Sequence, residues 1–198
     1  MSKILLLNSG LKHAQAFVDP FLKRLEVHLS SKENCVDVRS AENFDERTFF
    51  EYDQVVFLFS IALDSIPSST LEIFQKLENQ SKNHTEIYAL IACDEYEPEK
   101  CNLSKKIIQK WCHRENLQFK GTLKIGSVLF IMKSASKFVV SNYIKSFASA
   151  ILKHESIDSQ VTMLTDKIFM KMANKYWNKE IQRKHKEKIK KLKHEKGE

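Results

Sequence analysis

Asn8-Ser9-Gly10-Leu11-Lys12-His13 lies between the apolar run Ile4-Leu5-Leu6-Leu7 and the start of a helical pattern. Of all the stretches in this chain it is the best equipped to hold a ligand. A strand that turns on Ser-Gly into a helix leaves backbone N–H groups free at the positive end of the helix dipole, where a phosphate can sit. Lys12 adds a mobile cation, and His13 a polar group that can contact a ligand at the same turn. Set against this is an ordinary strand-to-helix turn with a solvated lysine and an exposed first-turn histidine.

Other residues with chemical potential are fewer. Cys93-Asp94-Glu95-Tyr96-Glu97 gathers three carboxylates around one phenol. Tyr96 can stack on a planar ligand or pack within its own loop. The four cysteines, Cys35, Cys93, Cys101 and Cys112, include no C-x-x-C pair, so they are expected to be reduced small hydrophobes rather than metal ligands or a redox couple. Trp111 and Trp177 fall on helical stripes and are expected in core or docking positions.

The elements that must position these groups alternate between strand and helix. After the opening strand, Phe17, Phe21, Leu25 and Leu29 mark one face of a helix. Its start is open: Asp19 can cap a helix with Pro20 at the first position, or the helix can begin near Ala14 with Pro20 in its first turn. Cys35–Arg39 alternates like a short strand, and Val55-Val56-Phe57-Leu58-Phe59 reads as a strand buried on both faces. Ser69-Thr70-Leu71-Glu72 has capping-box spacing before a helix marked by Leu71, Phe74 and Leu77. Residues 87–92 form a fourth strand, and Leu103, Ile107, Ile108, Trp111 and Cys112 a helical stripe with Asn102 as its cap. Residues 123–132 read as a fifth strand, broken near Gly126, and Phe138 to Ile151 as a further helix. This alternation predicts βαβ units and a parallel sheet covered on both faces, with ligands beyond the carboxyl ends of the strands. The loops expected there are residues 8–15, 60–67 and 93–102.

The net charge of +7 is unevenly placed, with nine Lys/Arg against four Glu in residues 179–198. A basic tail, not a basic domain, is the implication. Met163, Leu164, Ile168, Phe169, Met172, Tyr176 and Trp177 are expected to dock a helix on the body, with support lost beyond Trp177. The tail has two readings: a solvated helix end that needs no partner, which is the leading one, and a polybasic arm that touches nucleic acid or an anionic membrane. No apolar stretch is long enough for a membrane span or a secretory signal, so a cytoplasmic location is expected.

At the level of motifs, Asn8-Ser9-Gly10-Leu11-Lys12 after a strand resembles the phosphate loop of the flavodoxin-like NAD(P)H-dependent FMN reductases and quinone reductases. Tyr52-Asp53-Gln54-Val55-Val56-Phe57 followed by Ser60-Ile61-Ala62-Leu63-Asp64-Ser65-Ile66-Pro67 is similar to the third strand and flavin loop of that family, and residues 119–126 to its last strand. The resemblance implies an FMN phosphate held by Ser9, Gly10, Leu11, Lys12, His13 and Gln15. It places the isoalloxazine between Ser60, Ile61, Ala62 and Leu63 on one side and Asp94, Glu95 and Tyr96 on the other. It also implies NAD(P)H as co-substrate, a quinone-type acceptor and a homodimer. The departures are Ser60 where a proline is common, Ala62-Leu63 where an aromatic usually packs, and a third loop without glycines.

The expected fold is therefore a flavodoxin-like, doubly wound α/β domain over residues 1–160. Its parallel sheet has five strands in the order 2-1-3-4-5, and a C-terminal helical extension covers residues 161–198. The leading function is an FMN-dependent NAD(P)H oxidoreductase with weak flavin binding and no catalytic acid or base of its own. The alternative is a non-catalytic relative, with little or no flavin affinity, that acts through protein interaction.

Overall fold

The computed structural model describes residues 2–30, 33–61, 65–80 and 85–195. The strands are β1 (Ser2–Asn8), β2 (Asn34–Ser40), β3 (Gln54–Ser60), β4 (Glu86–Ala92), β5 (Gln118–Ile125) and β6 (Ile157–Val161). The helices are α1 (Lys12–Leu29), α2 (Ser68–Leu77), α3 (Asn102–Arg114), the single turn α4 (Val128–Ile131), α5 (Lys137–Leu152) and α6 (Asp166–Glu195). All strand pairs are parallel, in the order β2-β1-β3-β4-β5-β6. The sheet thus has six strands, not the five expected. The added β6 lies at the junction expected between body and extension.

The unbroken apolar runs of β1, β3 and β4 are buried on both faces, and the two-residue period of a strand splits them between two cores. Ile4, Leu6, Val56, Leu58 and Tyr88 pack with α1 and α5, whereas Leu5, Leu7, Val55, Phe57 and Ile87 pack with α2 and α3. The second core centres on aromatic rings: Phe74 stacks on Trp111 with centroids 4.1 Å apart, and Phe57 meets both edge-on.

Several local expectations are corrected. α1 begins at Lys12, two residues before the start near Ala14 that one reading gave; Asp19 is not its cap, and Pro20 lies well inside the helix, not in its first turn. The expected fifth strand stops at Ile125. Ser127 takes a left-handed backbone (φ 58°) and turns the chain into α4. The residues from Ser69 to Glu72 do not form a capping box, because α2 begins at Ser68 and the hydroxyls of Ser69 and Thr70 are used elsewhere. Asn102 does not cap α3; its side-chain oxygen accepts a bond from Lys124 at 2.9 Å. α6 remains helical to Glu195, but its side-chain support ends sooner than expected: Leu164, Ile168 and Trp177, expected to dock, are exposed, and from Trp177 to Glu187 every side chain is exposed apart from the half-buried Glu180. No helix among the described residues is long and apolar enough to cross a membrane.

Candidate functional site

The order of the strands reverses between β1 and β3, and the crevice above that point is where a doubly wound sheet leaves room for a ligand. The loop after β1 is short and tightly held. The Ser9 N–H donates to the Leu58 carbonyl at 2.9 Å, continuing the β1–β3 pairing by one bond. The Ser9 carbonyl accepts from the Ser69 hydroxyl at 2.6 Å and lies 2.9 Å from the Thr70 hydroxyl, which is also 2.9 Å from the Ser9 hydroxyl. Ser9 is fully buried, so its hydroxyl anchors the loop to α2 and is not offered to a ligand. This corrects its expected role as a phosphate ligand.

Backbone groups remain available where that side chain is not. α1 starts from Leu11 without a side-chain cap. Its carbonyl accepts the N–H groups of Ala14 and Gln15, while those of Gly10, Leu11 and Lys12 donate to nothing among the described residues. Unpaired N–H groups at a helix start are what an anion needs. Gln15 holds the loop from inside, donating to the Gly10 carbonyl at 3.2 Å. The Lys12 side chain is 83% exposed and its ammonium lies 3.6 Å from the Glu42 carboxylate. His13 sits in the first turn of α1, and its side chain lies outside the described residues. Asn8 donates to Asp19 at 3.2 Å, leaving its side-chain oxygen buried without a partner beneath the same loop.

Beside these N–H groups opens a cleft of about 350 Å³, lined by Leu11, Ala14 and Phe17 of α1, by Ser60, Ile61 and residues 65–68, and by Asp94. That volume is at the lower end of the range for small-molecule sites. Ser60 and Ile61 are buried at its floor, where the Ile61 N–H bonds the Ala92 carbonyl at 2.8 Å. Ala62, Leu63 and Asp64 lie outside the described residues. Phe17, expected in the core stripe of α1, is 36% exposed and forms an aromatic wall. Sequence reasoning missed it, and also missed Ile66 and Pro67. Its place at the amino end of the stripe, one turn before Phe21, was the available signal.

The third loop contributes less than expected. Asp94 reaches the cleft, and loss of surrounding solvent, followed by the neighbouring Glu95, raises its carboxyl above the ordinary value. Glu95 and Tyr96 do not line the cleft. The Glu95 carbonyl accepts from the Ser127 N–H at 2.6 Å. The Tyr96 hydroxyl donates to the Met163 carbonyl at 3.2 Å, and its ring lies against Phe169 at 5.6 Å. Tyr96 is thus committed to α6 and cannot stack on a ligand in this cleft. Gly126 permits that arrangement, since a Cβ there would stand 2.5 Å from the Tyr96 carbonyl oxygen. Cys93, at the root of the loop, is buried, and its contact with Cys101, followed by burial, holds the thiol far above its ordinary value. It is no nucleophile. Among the described residues no cluster of His, Cys, Asp or Glu is arranged to hold a metal.

No family model matches the chain, and no curated protein matches it in sequence. Solved structures match its fold. Oxidised Flavodoxin 2 from Bacillus cereus aligns with a TM-score of 0.62 at 15% identity, over 77% of this chain and 99% of that one. The azoreductase from Bacillus anthracis gives 0.52 at 12% identity, over 77% and 100%. A putative quinone reductase from Klebsiella pneumoniae gives 0.58 at 9% identity, over 79% and 87%. The fold is flavodoxin-like, and the structures it resembles include both flavodoxins and reductases.

Proposed function

We propose that the cleft binds FMN and that the chain is an FMN-dependent NAD(P)H oxidoreductase of the quinone reductase type. The observation that carries this reading is the adjacency of a mostly apolar cleft to the free N–H groups of Gly10, Leu11 and Lys12 at the strand-order reversal. A phosphorylated planar ligand needs both parts. FMN, when bound, supplies hydride and electron transfer between a nicotinamide and a quinone-type acceptor. The chain's own residues bind and orient. The loop amides take the phosphate, while Phe17, Ile61, Ile66 and Pro67 exclude water from the ring. Asp94 stands on the same wall, with its carboxyl raised above the ordinary value by loss of surrounding solvent and by Glu95.

Titration with FMN and riboflavin tests the assignment. FMN should bind about 10- to 100-fold tighter, because even one charge-assisted N–H bond to phosphate is worth that much. Lys12→Ala should change the ratio less than about threefold, as expected for an exposed ammonium. Asp94→Asn should strengthen FMN binding about two- to fivefold by removing a carboxylate from the wall. Equal affinity for the two ligands would remove the phosphate assignment. NAD(P)H oxidation by the FMN-loaded protein, with a quinone as acceptor, tests the activity. A homodimer is part of the proposal and is checked by sedimentation. The commitment of Ser9 to Thr70 and of Tyr96 to α6 favours a second reading, a non-catalytic protein that acts through protein interaction. Absence of affinity for both FMN and riboflavin would leave that reading in front.

A further inference from the structure

α6 holds eleven Lys/Arg and four Asp/Glu. Its balance of +7 equals that of the entire chain, so the rest of the molecule is neutral as a whole. The helix is attached by its first third only. Ala173 is buried, Phe169 and Met172 pack against the core beneath it, and Tyr176 meets Phe130 edge-on at 5.8 Å. Beyond that point the helix continues for nearly twenty residues, and its side chains meet solvent as far as Glu187, the half-buried Glu180 excepted.

Part of the positive charge on this arm is aligned. At 3.6 residues per turn, Lys171, Lys175, Lys179 and Lys186 fall within roughly 80° of arc on one side of the helix. All four are exposed, and none forms an ion pair among the described residues. The acidic residues are kept off this stripe: Glu180 and Glu187 are both held by Arg183 on its flank. The exposed apolar residues Met170, Trp177 and Ile181 lie on a different side of the helix. They are too few, and too interrupted by Lys184, to make the apolar face on which an interfacial helix rests.

We infer that α6 is a binding arm for duplex nucleic acid, with Lys171, Lys175, Lys179 and Lys186 contacting the phosphate backbone without reading sequence. From Lys171 to Lys186 the stripe runs about 22 Å, a length over which a duplex presents several phosphates at one charge per about 1.7 Å of its axis. Trp177 faces away from the stripe, so base stacking plays no part and the contact is electrostatic. This inference is independent of the flavin site, which lies at the β1–β3 crevice.

The test is fluorescence anisotropy of a labelled 20-base-pair DNA duplex titrated with the full chain over a salt series. Four phosphate contacts predict a slope of log K against log salt of about −3.6. Lys171→Gln/Lys175→Gln/Lys179→Gln should weaken binding at least tenfold at low salt and reduce the slope by about 3. Glutamine is a good helix former at these exposed positions, and circular dichroism confirms the fold of the variant. Lys106→Gln/Lys110→Gln on α3 should leave both quantities unchanged. Three results would overturn the inference: no binding of duplex, equal loss in the α3 control, or tighter binding to phosphatidylglycerol vesicles than to duplex.

Discussion

Replacing Thr70 by Val keeps the shape of the side chain and removes the hydroxyl that pins the first loop to α2. Thr70 is fully buried, and its Oγ lies 2.9 Å from both the carbonyl and the hydroxyl of Ser9. A hydroxyl has one proton, so one of these contacts is donated by Thr70 and the pair shares the other proton. In Thr70→Val the Ser9 carbonyl keeps its bond from Ser69, but the buried Ser9 hydroxyl loses its partner. A lost hydrogen bond together with an unsatisfied buried hydroxyl amounts to about 2 kcal/mol, or a fall in Tm of about 4–8 °C for a chain of this size. Ser9→Ala leaves Thr70 its carbonyl acceptor and should cost only about 0.5–1 kcal/mol. The double variant removes both partners and should be more stable than Thr70→Val alone, giving a coupling energy of about 1 kcal/mol. Urea unfolding of the four proteins supplies the cycle. Additive single effects, or a Thr70→Val cost below about 0.5 kcal/mol, would show that the Ser9 hydroxyl reaches solvent or ligand instead.

Two further outcomes concern the opposite end of the sheet and its edge. Burial alone would raise the Glu86 carboxyl, but bonds from Lys120 at 3.0 Å, His154 at 2.8 Å and Gln54 at 3.2 Å outweigh it and hold the group below its ordinary value. A carboxyl with a lower pKa in the folded state contributes stability above its unfolded value and loses it as pH falls through the folded one. Glu86→Gln should therefore cost about 1–3 kcal/mol at pH 7, a difference that shrinks as pH falls below the ordinary carboxylate value, as measured by unfolding at a series of acid pH values; a pH-independent difference would refute the linkage. At Gly121, with φ of 146°, an added Cβ would stand 1.6 Å from the Ile157 carbonyl oxygen. Gly121→Ala should cost about 3–5 kcal/mol and strip amide-exchange protection from β6 before β1 or β3; unchanged protection at residues 157–161 would refute the placement of the edge strand.

The interior of this fold is readable in its sequence, and the edge is not. Val55 to Phe59 is an unbroken run of branched and aromatic residues, with the composition of a strand covered on both faces, and β3 is buried throughout. β6 offers no such signal. Ile157-Asp158-Ser159-Gln160-Val161 is apolar only at its ends, and partners distant in sequence hold it in place. The Asp158 carboxylate accepts from Lys105 and from Thr122, each at 2.6 Å. Apolar periodicity also failed at residues 128–132, where a buried helical turn and a buried strand read alike and only the left-handed Ser127 separates them. The site divides similarly. The order of strand, loop and helix located the crevice and its three loops. It could not show that Ser9 is claimed by a residue sixty-one positions later, or that Tyr96 is claimed by the approach to α6.

Those two claims determine what kind of site this is. Side chains that resemblance assigns to the ligand are spent on holding loops: Ser9 on α2, Tyr96 on Met163, Lys12 on Glu42. What is left facing the cleft is backbone amide and apolar wall, so affinity there depends on loop geometry more than on any one polar side chain. Loop geometry is in turn set by groups that never touch the ligand. Thr70 fixes the first loop from α2. Gly126 lets the third loop approach β5, and Thr162 closes that approach by donating to the Tyr96 carbonyl at 2.5 Å. Substitutions at these buried supports should therefore disturb the cleft more than substitutions at its exposed charges. The third loop is also the place where the cleft and the α6 arm meet, since the Tyr96 ring rests on Phe169 and its hydroxyl on the carbonyl of Met163.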